Sequence, residues 1–97
     1  MKTIKIHVPK ITNMEGRTGQ PVPNQFEING PDFRAFQSYN SIIVVHWKDG
    51  KTYLDNGKRD YSTTTGKYRN QFLFETKKET EQKINSGLYI LANLNPS

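Results

Sequence analysis

Residues 3–8 alternate. Ile4, Ile6 and Val8 fall on one side, and Thr3, Lys5 and His7 on the other. A period of two predicts a half-buried strand, which Pro9 stops. Residues 10–23 hold Gly16, Gly19, Pro21 and Pro23 with little apolar content, so they are expected to form a mobile loop or a contact surface. Residues 24–28 alternate again, with Phe26 and Ile28 on one side, before the turn signal Asn29-Gly30-Pro31-Asp32. A third strand is expected over residues 33–37. The fourth is the clearest, because Ile42-Ile43-Val44-Val45 predicts a central strand buried on both faces.

Asp49-Gly50 lies between apolar runs. It predicts a two-residue hairpin turn. In that register Trp47 faces Thr52, His46 faces Tyr53 and Val45 faces Leu54. Asp55-Asn56-Gly57-Lys58 then closes the strand, with Asp55 and Asp60 placed to cap turns.

From residue 60 the pattern becomes helical. Ser62 or Thr63 can cap a helix whose Thr65, Tyr68, Phe72 and Leu73 turn toward a core. Gly66 weakens that helix by roughly 1 kcal/mol against Ala. Thr76-Lys77-Lys78-Glu79 matches a capping box and opens a second helix over residues 77–86. Glu79 and Lys83 are spaced to pair along it, and Gly87 suits a left-handed end. Residues 88–91 read as a last strand.

The fold class expected is therefore α+β: a small antiparallel sheet of four to six strands with two short C-terminal helices on one face. Residues 1–97 form a single domain, in which 60–97 are the helical joint, helix and final strand. The expected core is Ile4, Ile6, Phe26, Ile43, Val45, Trp47, Leu54, Phe72, Leu73, Ile84 and Ile90.

Composition adds three limits. Hydrophobic residues are 33% and mean hydropathy is -0.82, offset by 11% aromatics, whose large rings can build a small core. The absence of cysteine excludes disulfides and thiolate metal sites. No apolar run reaches the length of a signal peptide or a membrane span, so a cytoplasmic protein without membrane contact is expected.

Catalytic chemistry finds no constellation. The two histidines, His7 and His46, share no nucleophile motif, and no close-spaced ligand pair points to a metal. Gly16-Arg17-Thr18-Gly19 lacks the spacing and lysine of a phosphate-binding loop. No cofactor is implied, and the chain is expected not to be an enzyme.

Charge points instead to binding. The chain carries 14 Lys+Arg against 9 Asp+Glu, a net +5, which favours polyanionic partners. Lys51, Lys58, Arg59, Lys67 and Arg69 interleave with Tyr61 between residues 48 and 69. Cations beside stacking rings suit single-stranded nucleic acid, and DNA binding through this Lys/Arg/Tyr surface is the first expectation. A protein-interaction module that binds a host defence, replication or transcription protein is the alternative. The oligomeric state stays open.

Residues 36–43, Tyr53-Leu54-Asp55, residues 60–73, Lys78-Glu79-Thr80-Glu81 with Ile84, and residues 86–91 together carry a resemblance. The chain resembles a family of small uncharacterised proteins of bacteriophages and bacterial mobile elements, over about residues 36–95. Arg59 stands where that family pattern implies an aromatic, and Phe74 where it implies a small residue. The resemblance implies a bacterial host cytoplasm. It also implies either a DNA-associated accessory role or inhibition of a host protein, and it implies no catalytic residues.

Overall fold

In the computed structural model, which describes residues 1–96, one six-stranded sheet carries two helices. The strands are β1 (Lys10–Glu15), β2 (Pro21–Asn29), β3 (Phe33–Ser38), β4 (Ser41–Trp47), β5 (Thr52–Asp55) and β6 (Tyr89–Ala92). Helices α1 (Thr63–Leu73) and α2 (Lys77–Asn85) lie between β5 and β6. The strands stand in the sheet in sequence order. The first five pair antiparallel, and β6 runs parallel to β5. Parallel neighbours need a crossover, and the two helices supply it. This is why they share one face, and why the sheet is mixed where an all-antiparallel one was expected.

Two N-terminal expectations are overturned. Residues 3–8 form no strand, and Ile4, Ile6 and Val8 are 77%, 78% and 81% exposed. The expected loop over residues 10–23 is instead β1, a turn and the start of β2. Gly16 N–H donates to Gln20 O (2.8 Å), Gly19 N–H to Gly16 O (3.0 Å), and Gly19 has φ +78°. An edge strand needs few apolar residues, and only Met14 of β1 is buried.

The β4–β5 hairpin is also shifted by one residue. Trp47 N–H donates to Lys51 O and Gly50 N–H to Trp47 O (both 2.9 Å), with Gly50 at φ +94°. The connection is therefore the three-residue loop Lys48-Asp49-Gly50 with a left-handed glycine. Val44 then pairs with Leu54, Val45 with Tyr53 and His46 with Thr52. A one-residue shift exchanges the faces, so Val44 and Leu54 enter the core, while Trp47 is 41% exposed on the other side. A bulge on β4 between the pairs Phe36–Val44 and Gln37–Ile42 lets Ile43 and Val44 both turn inward; each is fully buried.

The core lies between the sheet and the helices. It comprises Met14, Phe36, Ile43, Val44, Leu54, Tyr68 and Phe72, with Val22, Leu73, Ile84 and Tyr89 against it. The Phe36 and Phe72 rings stack at 6.0 Å. The Arg34 guanidinium roofs Phe72 at 4.4 Å while its Nε and Nη2 donate to Glu27 Oε1 (2.9 and 2.7 Å). Of the expected core, Ile4, Ile6, Trp47 and Ile90 are exposed, and Phe26 and Val45 are half-buried on the helix-free face.

Local signals account for the helices. Ser62 caps α1 by accepting from Thr65 N (3.1 Å). Thr76 and Glu79 form the capping box of α2. Lys83 donates to Glu75 rather than pairing with Glu79, because Glu79 is held by Thr76. Glu75 also accepts from Tyr89 Oη (2.7 Å) and Thr80 Oγ1 (2.9 Å). Burial alone would raise the Glu75 carboxyl, but these bonds and Lys83 outweigh it and hold it below its ordinary value.

The C-terminal tail is clipped back to the sheet. The Asn95 amide donates to Ile42 O (2.9 Å) and accepts from Ile42 N (2.7 Å). Asp55 is buried and accepts from the backbone N–H groups of Leu94, Lys58 and Gly57. Burial pushes the Asp55 carboxyl up, and the backbone donors bring it below its usual range.

Candidate functional site

The basic and aromatic residues singled out in the sequence do not form one surface. Lys51 lies at the hairpin loop before β5, while Lys58, Arg59 and Tyr61 follow its far end. The four residues of β5 separate the two groups by about 13 Å along the strand. Lys58 and Tyr61 are exposed and adjacent, with the ammonium 5.6 Å from the ring. Lys67 projects from α1, its ammonium 5.3 Å from the Tyr68 ring. Arg59 is half-buried and donates to Asn56 O (2.8 Å).

Arg69 is not on the Lys/Arg/Tyr surface expected for it. It is fully buried and bound to Arg59 O (2.8 Å) and Asn70 Oδ1 (2.9 Å), with Asp60 Oδ1 at 3.3 Å. Sequence spacing could not separate it from Lys67, because both lie in one polar stretch of α1. Asp60 also pairs with Lys77 Nζ (2.7 Å), so it clamps the two helices instead of capping a turn. Burial raises the Asp60 carboxyl, but Lys77 and Arg69 together draw it below its usual range. The groove here is lined by Asp60, Ser62, Thr63, Gly66, Lys67 and Lys77 among others. It already holds a carboxylate where a phosphate would sit.

The opposite face of the sheet presents a different surface. Its register aligns Ile11 with Ile28, Ile28 with Ala35, Ala35 with Val45, Val45 with Tyr53, and Tyr53 with Ile90. Paired residues share a face, so this row crosses all six strands without a charge. The helices pack on the other face, against Phe36, Val44 and Leu54. A second set on the bare face includes Phe33 and Trp47, whose rings lie 5.6 Å apart. Ile28, Phe33, Ala35, Ile42, Val45, Trp47 and Leu94 line an open groove of about 300 Å³ there. No sequence signal could have revealed this row, because it depends on the bulge and on the three-residue turn.

The comparisons with known proteins add a grouping. Residues 8–87 match the model of DUF8033, a family of unknown function. The chain belongs to this family. No curated protein and no solved structure matches it. The match spans all of the sheet except β6, together with both helices. Among the described residues, no helix is long and apolar enough to cross a membrane.

Proposed function

We propose that this protein is a non-catalytic interaction module that binds another protein through the bare face of its sheet. The observation that carries this reading is the uncharged row from Ile11 to Ile90. In a chain with 24% charged residues, such a face is a recognition surface rather than ordinary solvated surface. Trp47 and Tyr53 supply the aromatic anchors typical of binding centres. A partner presenting apolar side chains would fit the groove beside Trp47.

The test is a pull-down from nuclease-treated bacterial lysate, comparing the wild type with Trp47→Ser and Ile90→Ser. Both side chains are exposed, so both variants should keep the fold. A protein recovered by the wild type and lost with both variants is the expected outcome. Equal recovery by all three, or recovery of nothing, would sink the reading.

One observation favours nucleic acid as a second reading, namely the exposed pair of Lys58 and Tyr61 with Lys67 beyond it. A gel shift that weakens steeply with salt and is lost in Lys58→Glu/Lys67→Glu would support it. Arg69 is unsuited to this test, because its replacement would disturb the fold.

A further inference from the structure

Residues 1–9 form no helix or strand, and residues 1–8 are exposed throughout. The alternation of Ile4, Ile6 and Val8 is therefore left uncovered by the described residues, at 77%, 78% and 81% exposure. The arm stands off the body: the radius of gyration is 14.4 Å and the longest axis 54 Å, against about 12–13 Å for a compact chain of this length. The arm runs directly into β1, which is an edge strand. An open edge beside an unused strand pattern is a template for pairing with another chain.

We propose that residues 3–8 are an exchange arm that pairs antiparallel along β1 of a second copy of this chain. This goes beyond the bare-face reading and does not depend on it. Symmetry restricts the register. A two-fold dimer joined edge to edge has its axis perpendicular to the sheet, so each residue faces one whose number gives an even sum. With the axis at Pro9, residues 3–8 oppose the six residues of β1. Ile4 then faces Met14, Ile6 faces Thr12 and Val8 faces Lys10. Pro9 lacks an N–H, so the central Pro9 pair of this register adds no ladder hydrogen bond, and the pairing rests on the residues either side of it.

The same register decides which face the arm covers. Even-numbered residues of β1 include Met14, which enters the core on the helix side. Ile4, Ile6 and Val8 of the second copy must therefore lie on the helix side too. An open groove waits there, lined by Thr12, Met14, Phe72 and Phe74 among others, with the Glu27–Arg34 ion pair at its wall. Phe74 is 88% exposed and sits in a left-handed conformation (φ 56°) just after α1. The arm and Phe74 are two exposed apolar features that cover one another in this arrangement. The contact spans fewer residues than the 20–30 a side of a standard interface, so dissociation on the order of micromolar is expected.

Sedimentation equilibrium of the full chain over a wide concentration range tests the dimer. Twice 11.2 kDa should appear at high concentration, with at least a tenfold weaker association in Ile4→Ser/Ile6→Ser and in Phe74→Ser. All three side chains are exposed in the monomer, so these variants should keep their fold. The register is tested separately by disulfide trapping, which the cysteine-free chain makes clean. Ile6→Cys/Thr12→Cys should form an intermolecular cross-link, and Ile6→Cys/Asn13→Cys should not. A wild type that stays monomeric at all concentrations overturns the proposal. So does a dimer that the arm and Phe74 variants leave intact, or cross-linking that is equal in the two double-cysteine variants. Trp47→Ser should leave the dimer unchanged, which keeps its outcome separate from that of the bare face.

Discussion

The carboxylate of Asp60 stands 3.3 Å from the guanidinium of Arg69, the largest of the fully buried side chains. Asp60 is about a third exposed, and Arg69 is enclosed. Removing the carboxylate leaves a buried cation short of its counter-charge. Asp60→Asn should therefore cost about 1–3 kcal/mol, discounted for the solvent that reaches Asp60. Urea unfolding checks it. An unchanged midpoint would mean that Asn70 and the Arg59 carbonyl suffice to hold the guanidinium.

Gly66 answers to the same carboxylate. A Cβ at Gly66 would lie 3.0 Å from Asp60 Oδ1. Ala is the better helix former by about 1 kcal/mol, so crowding and propensity oppose one another. Gly66→Ala should destabilise the wild type, where Asp60 is held by Arg69 and Lys77. In an Asp60→Ala background the same change should stabilise by about 1 kcal/mol. A double-mutant cycle of unfolding midpoints reads the change of sign.

Glu75 makes stability sensitive to acid. Its folded carboxyl titrates below the ordinary value of 4.5. A depressed carboxylate contributes stability that is present above the unfolded value and lost as pH falls through the folded one. Asp55 and Asp60 act in the same direction from 3.8. Stability should thus fall steadily below about pH 4.5. Glu75→Gln should be less stable at neutral pH and should show a shallower acid limb. A thermal melt series across pH measures both.

Gln25 is fully buried, and among the described residues neither its amide nitrogen nor its amide oxygen has a partner. An unpaired buried polar group costs about 1–3 kcal/mol. Gln25→Met, of similar length and without the unmet donors, should gain about 1 kcal/mol. That corresponds to a rise in Tm of about 4–8 °C. A fall in Tm would show that the amide is satisfied by enclosed water.

Signals that act over three or four residues were legible in the sequence. Ser62, the Thr76–Glu79 box, Gly87 (φ +83°) and the strands β3 and β4 all lie where the residues place them. Signals that depend on a partner strand were not. Residues 10–15 look like loop because an edge strand can face water with nearly every side chain. Residues 3–8 look like a core strand because alternation shows a face and not what covers it. The β4–β5 register turned on one residue, and with it went Val44, Trp47 and the bare row. Arg69 departs from its expected place for a related reason. A guanidinium can be enclosed when carbonyls and a carboxylate meet it, and those came from Arg59, Asn70 and Asp60.

The chain order of the sheet has a kinetic consequence. Strands β1 to β5 each pair with their neighbour in sequence, so their contacts close short loops. Only β6 must wait, because it reaches β5 after a connection that contains both helices. Long closures slow folding more than short ones. The five-strand meander is therefore the natural first unit to assemble. The clasp of β6 and the Asn95–Ile42 clip should form last and open first. Amide exchange should show it: protection over β6 should be lost at lower denaturant than protection over β3 and β4.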